Sequence, residues 1–315
     1  MVCQCTLNTL AYFALSYIVY RFVWALYTIV YPYLIASPPD LHKLAGGKWA
    51  VVTGSTDGIG KAYAFELAKN GFNLLLISRT QSKLDATKEE IKKEHKNVEV
   101  ETISYDFSDA NLNDYKKEVL PAIEKRDVGI LVNNVGLSYD YPEILHKVDG
   151  GLQHLANVGI VNILPTSILT AAVLPQMVQR NNGVIVNISS SAAYAKMSLW
   201  AVYSASKAYV NHFANILRNE YAHTGITIQT ICPMMVSTKM SKARVSFFAP
   251  NTTNYVRSAI RTIGVIPETT GCIQHQIQSM IFGLPELVLD LLITKNSQAV
   301  RAAALRKREK AAKAQ

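Results

Sequence analysis

Cysteine is scarce in this chain of 315 residues: there are four, at positions 3, 5, 232 and 272, without regular spacing. That scarcity excludes a disulfide framework, and no group at metal-ligand spacing accompanies it. Cys3-x-Cys5 stands too close and too alone to hold zinc. The pattern suits a reducing compartment. Basic residues are missing ahead of Arg21, where a secretory signal peptide would carry its positive charge. Signatures of helix-turn-helix, zinc or RNA-binding modules are also lacking, so the net charge of +9 does not read as nucleic-acid contact.

What the N-terminus does contain is an apolar run, "NTLAYFALSYIVYRFVWALYTIVYPYLIA" from Asn8 to Ala36, with nine aromatic residues and Arg21 as its only charge. At about 1.5 Å per helical residue it is long enough to cross a hydrocarbon core of about 30 Å. Tyr and Trp favour membrane interfaces. The run predicts a membrane anchor over residues 1–38, as a single span, a hairpin or an in-plane helix. At the other end, Arg301 to Gln315 holds six Lys/Arg against Glu309, a cluster suited to an anionic membrane face.

Past Pro38-Pro39 the pattern becomes globular. "KWAVVTG" reads as a short buried strand, "STDGIG" as a turn, and "KAYAFELAKNG" as a helix ended by Gly71. Strand and helix then alternate through "NLLLISR", "NVEVETIS", "VGILVNN", "GVIVNIS" and "ITIQTIC". This order predicts an α/β fold, a Rossmann-type doubly wound parallel sheet. In the first strand-to-helix turn, Gly54, Gly58 and Gly60 permit a tight turn and close approach of a diphosphate, whose charge suits the helix N-terminus. Ser78 and Arg79 end the second strand, and no acid follows until Asp85. An arginine there suits a 2′-phosphate, so NADPH/NADP is expected over NAD(H).

Tyr203 and Lys207 stand four residues apart in "YSASK", one turn apart on one face of a predicted helix from Ala201 to Tyr221. A nearby cation favours phenolate and lowers the phenol pKa, which makes the pair a candidate acid or base.

Together these motifs resemble the short-chain dehydrogenase/reductase family over about residues 48 to 240. The resemblance rests on "TGSTDGIG" at 53–60, "NNVG" at 133–136, Ser190 ahead of "YSASK" at 203–207, and "PMMVST" at 233–238. It implies that Tyr203 moves the proton, Lys207 tunes it and holds the nicotinamide ribose, and Ser190 binds the substrate oxygen. Asn162 would complete a proton relay, with Pro165 bending its helix. The resemblance further implies cofactor contacts from Gly54, Ser55, Asp57, Gly58, Ile59 and Gly60 in the first turn. Ser78, Arg79, Asp106 and Asn133 would serve the adenosine side and the sheet end, and Val236 and Thr238 the nicotinamide side. No metal is expected.

The N-terminal anchor, "KWAVVTGSTDGIGKAYAFELAKNG", "LISR" and "ILVNNVGLSYDYPE" further resemble the family's microsomal branch, which reduces ketones on lipids with NADPH at the endoplasmic reticulum. That resemblance implies a cytosol-facing domain over 39–270, a C-terminal hydrophobic segment and basic tail over 271–315, and membrane and lipid as partners. A homodimer stays open. The implied reaction is 3-oxoacyl-CoA to 3-hydroxyacyl-CoA in fatty acid elongation; the alternatives are a 17-ketosteroid in steroid biosynthesis, or a silent cofactor-binding protein. Members often end in a dilysine retrieval signal, whose spacing "KAAKAQ" lacks. Between Thr238 and Pro267 lie Lys239, Lys242, Arg244, Arg257 and Arg261 with no acid, a segment expected to form a substrate lid that meets the phosphates of coenzyme A.

Overall fold

The computed structural model describes residues 3–313. The first two residues of the expected anchor and the last two of the basic tail lie outside them. Strands β1 Trp49–Thr53, β2 Asn73–Ser78, β3 Val100–Ser104, β4 Val128–Asn133, β5 Gly183–Ile188, β6 Ile226–Ile231 and β7 Glu268–Thr269 form one sheet in the order β3-β2-β1-β4-β5-β6-β7. Every pairing is parallel. The chain order reverses between β1 and β4, which opens a crevice at the carboxyl ends of these strands.

The helices are α1 Gln4–Val30, α2 Leu41–Ala45, α3 Gly58–Lys69, α4 Gln81–Glu94, α5 Leu112–Asp114 and α6 Leu120–Glu124, then α7 Gly151–Arg180, α8 Ala201–Glu220, α9 Thr252–Ile260, α10 Ile273–Ser279 and α11 Glu286–Lys313. Strand residues alternate between the two faces of the sheet. Ala50, Val52, Leu74 and Leu76 accordingly pack with α3, α4 and α9, whereas Val51, Leu75 and Ile77 pack with α7 and α8. Because both faces are covered, the strands read as continuous apolar runs.

α1 runs into a π-helical turn, Tyr31–Ile35, and no residue of α1 is buried. Pro32 and Tyr33 then dock on the domain, and the Tyr33 hydroxyl hydrogen-bonds Thr269 Oγ1 on β7. α7 is also long and apolar, yet half of it is buried, as befits a core helix. Pro165 and Pro175 lie inside it without ending it.

Residues 238–267 do not lie together as one lid. Up to Phe248 they form an irregular, largely exposed loop, but α9 buries Tyr255, Val256, Ala259 and Ile260 against the sheet. Asn251 begins α9, its Oδ1 accepting from Asn254 N at 2.8 Å. Arg257 turns toward α3, where Nη2 and Nε lie 3.2 and 3.3 Å from Glu66 Oε1. The C-terminal segment carries α11 back across the loops that follow β4 and β5. Arg301 Nε donates to Glu143 Oε1 at 2.8 Å, and Arg308 pairs with Asp149.

Candidate active site

The carboxyl ends of β1, β4, β5 and β6 bring the expected residues to one side of the sheet. At the end of β1, Gly54 and Gly58 have φ of +62° and +56°, a backbone that a Cβ disfavours. Asp57 caps α3, its Oδ1 accepting from Gly58 N at 2.7 Å, and also pairs with Lys239 Nζ at 2.8 Å. A Cβ on Gly60 would collide with Gly54 O and the Asn134 amide, so the glycine lets α3 sit tightly on the turn.

Asn134 and Thr53, which sequence reasoning passed over, hold that turn in place. Asn134 Nδ2 donates to Thr53 O at 2.8 Å, while the amides of Asn134 and Val135 donate to Thr53 Oγ1 at 2.9 and 3.0 Å. Their only signal was the TG and NN of the two motifs. Asn133 points inward instead, donating to Asn187 Oδ1 at 2.9 Å and to Thr170 Oγ1 at 3.0 Å, so it ties β4 to β5 and α7.

The donors present suit a phosphorylated dinucleotide. Ser55 Oγ is buried with no partner among the described residues, a state that a phosphate oxygen would relieve. Ser78 Oγ meets Thr56 Oγ1 at 3.1 Å, and the exposed Arg79 pairs with no carboxylate among the described residues. Asp106 is exposed and accepts from Ser108 N and Oγ, both at 2.9 Å. Val236 is buried, Ile59 half-buried, and Thr238 lies against Gly58, which joins the segment after β6 to the turn after β1.

Ser190 follows β5 and caps a 3-10 turn, its Oγ accepting from Ala192 N at 3.1 Å. Tyr203 sits half-buried in the first turn of α8. Val202 N donates to Tyr139 Oη at 3.1 Å, and the Tyr139 and Trp200 rings stack, which fixes the start of α8. Lys207 is 5% exposed and its Nζ donates to Ile188 O at 3.0 Å. Buried Asn162 accepts from Leu137 N at 2.7 Å and donates to Leu137 O and Ser206 Oγ, both at 2.9 Å. A Cβ on Gly136 would lie 3.3 Å from Asn162 Oδ1 and equally far from Lys207 Nζ, so the two groups converge across that glycine.

The electrostatics depart from the sequence expectation. Burial pushes the Tyr203 phenol up, and the Ser190 hydroxyl opposes it. Burial also pulls Lys207 down to about 8. A side chain that loses its proton readily is a weaker cation beside the phenol, and desolvation of the phenol wins.

Comparisons with known proteins agree with this geometry. The profile of the short chain dehydrogenase family matches residues 48–247. Over 317 residues, covering all of both chains, the protein is 54% identical to the very-long-chain 3-oxoacyl-CoA reductase let-767 of Caenorhabditis briggsae. It is 49% identical, over 93% of each chain, to a Caenorhabditis elegans protein provisionally named steroid dehydrogenase 2. Among solved structures, a short-chain dehydrogenase from Sphingobium yanoikuyae in complex with NADPH is 27% identical, with a TM-score of 0.58 over 67% of this chain and 82% of that one. A 7beta-hydroxysteroid dehydrogenase shares the fold at 19% identity and a TM-score of 0.72, over 81% of this chain and all of the other.

Proposed function

We propose that this chain, which belongs to the short chain dehydrogenase family, uses NADPH to reduce the ketone of a very-long-chain 3-oxoacyl-CoA to the 3-hydroxy alcohol during fatty acid elongation. The observation that carries the reading is the end-to-end likeness to the let-767 reductase, which spans the N-terminus and the whole of this chain's catalytic domain. The membrane anchor places the enzyme beside lipid, and we assign it to the endoplasmic reticulum with the domain toward the cytosol. Residues 1–38 serve as anchor, 39–270 as catalytic domain and 271–315 as C-terminal strap and tail.

NADPH, when bound, supplies a hydride to the carbonyl carbon. Gly54, Ser55, Gly58 and Gly60 would hold its diphosphate, and Arg79 its 2′-phosphate. The chain's own residues manage the oxygen. Ser190 donates a hydrogen bond to it, and Tyr203 transfers the proton. A phenol that burial keeps protonated is the form reduction needs, since the developing alkoxide must receive a proton. Lys207 is close to half-charged near pH 8 and would orient the ribose. Asn162 joins the loop after β4 to Ser206 on α8 and would serve the proton relay from that position.

The likeness to the provisionally named steroid dehydrogenase supports a second substrate class, a 17-ketosteroid. The test is NADPH oxidation by the full chain in detergent with each substrate, alongside Tyr203→Phe. The acyl-CoA is expected to turn over, and the variant to lose about 10²–10⁴-fold in kcat while NADPH still binds. Turnover of the steroid alone would transfer the assignment, and an active Tyr203→Phe would remove Tyr203 from the chemistry.

A further inference from the structure

The first half of α11 is apolar on its outer side. Its domain-facing side is mixed, carrying Leu289, Asp290, Ile293, Thr294 and Ser297: Leu289 and Ser297 are buried, Ile293 is half-buried, and Thr294 Oγ1 lies 3.0 Å from Ser198 Oγ. Its outer side carries Leu287, Val288, Leu291 and Leu292, all exposed, Leu287 by 75% and Leu291 by 56%. Residues three and four apart share a helix face, so these four make one apolar stripe. A helix on a water-washed surface turns a polar side outward.

The stripe continues into its neighbours. The turn before α11 exposes Met280, Ile281 and Leu284, and α10 exposes Ile277. His275 of α10, fully buried, accepts from Met234 N at 3.3 Å through Nδ1 and donates to Met235 O at 3.2 Å through Nε2. The loop it holds exposes Met235 and, further on, the edge-to-face pair Phe247 and Phe248. Contiguous apolar surface of this kind marks a partner.

The fold indicates which partner. α1 packs against α10, and the chain leaving α1 is fastened to β7 by the Tyr33 to Thr269 hydrogen bond, just ahead of the Cys272 cap of α10. A bilayer that receives α1 therefore meets α10 and the ridge next to it. The same loop carries the exposed Lys239, Lys242 and Arg244; Lys239 pairs with Asp57 and Lys242 with Asp140, and Arg244 has no carboxylate partner among the described residues. A basic fringe beside an apolar stripe suits an anionic leaflet. Across a two-fold axis it would face its own charge.

We propose that the ridge over residues 277–292, with the loop over 235–248, is a second membrane contact that seats the catalytic domain on the bilayer. A cavity of about 730 Å³ lies between α11, α8 and the segment 193–198, and Phe282 and Leu284 of the ridge belong to its wall. Its wall takes Ala201, Ser204, Ala205 and Ala208 from α8 but none of Ser190, Tyr203 and Lys207, so the cavity belongs to the seated face and not to the catalytic pocket. The proposal rests on the anchor reading of α1.

The test uses the full chain in vesicles of phosphatidylcholine with a minority of phosphatidylserine. Cys3 and Cys5 are replaced by serine, and a spin label is placed by Leu287→Cys or Leu291→Cys, with Tyr20→Cys as the anchor control and the exposed Lys93→Cys on α4 as the solvent control. Labels at 287 and 291 should collide with oxygen, as at 20, and not with a water-soluble nickel chelate, which should reach 93. Nickel contact at 287 and 291 with 20 still in lipid overturns the seat and leaves the anchor standing; nickel contact at all positions overturns both. Shielding from both reagents means that a protein, such as a second copy, covers the ridge, and also overturns the proposal. Independently, Leu287→Glu with Leu291→Glu should lower kcat/KM for vesicle-borne substrate about tenfold and leave that for a short detergent-dispersed 3-oxo substrate unchanged. Equal values with both substrates would count against the seat.

Discussion

Lys207 meets two opposed demands at the residue scale: it must sit deep enough to touch the cofactor side of β5, and it must carry charge to be useful there. Burial lowers its pKa to about 8, and the single Ile188 carbonyl does not restore it. In the unfolded chain the amine keeps its proton to about 10.4. Between those values the unfolded state binds more protons than the folded one, so the contribution of this group to stability rises with pH across that window. Below about 8 both states are charged and the cost of burying the cation is fully present. Lys207→Met removes the titration. The unfolding free energy of the parent minus that of the variant, measured by denaturant at several pH values, is expected to rise by about 3 kcal/mol between pH 8 and 10.5. A flat difference would mean that the amine is solvated or paired in the folded protein.

Elements carry the lesson of the basic segment. Arg257 lies where a substrate lid was expected, yet α9 is a packing helix and its arginine bridges to Glu66 on α3. Glu66 is nearly buried, and stripping its partner leaves a carboxylate poorly solvated, whereas Arg257 itself is more than half exposed and screened. Arg257→Ala should therefore destabilise the domain by about 1–2 kcal/mol and leave KM for acyl-CoA and steroid alike unchanged. Thermal unfolding and steady-state kinetics on the one variant check both halves, and a rise in KM for acyl-CoA alone would return Arg257 to the substrate. The strands, the glycine turn and the Tyr203 helix were legible because each is a local pattern: an apolar run, a glycine spacing, an i,i+4 pair. The Arg257 bridge, the Asn134 clamp on Thr53 and the Arg301 bond to Glu143 join residues far apart in the chain, and no local period announces them. The same holds for the phenol. Spacing predicts that Tyr203 and Lys207 share a face, but the direction of their pKa shifts depends on how deeply that face is buried.

At the scale of the whole molecule, besides the ridge proposed above, α1 and the basic tail bear on membrane attachment, and they differ in what disrupts them. α1 has 27 residues, about 40 Å of helix, enough to cross a hydrocarbon core of about 30 Å. Its one charge is partly relieved within the helix, since Arg21 Nη1 donates to Tyr17 Oη at 3.0 Å and the guanidinium lies 5.8 Å from that ring. The basic tail is a surface attraction, which ions screen within a few ångströms at molar salt. Apolar burial is not screened in this way. After a molar salt wash, and again after alkaline extraction, the full chain should stay in the membrane pellet, and neutralising the tail arginines and lysines by substitution with glutamine should not change that. Placing two aspartates at Val19 and Val23, which α1 exposes on one face, should instead move the protein to the soluble fraction, because each charge in the hydrocarbon costs about 2.5–3.5 kcal/mol. Release of the parent by salt alone would assign the attachment to the tail, and would leave the exposed apolar length of α1 requiring a protein partner in place of lipid.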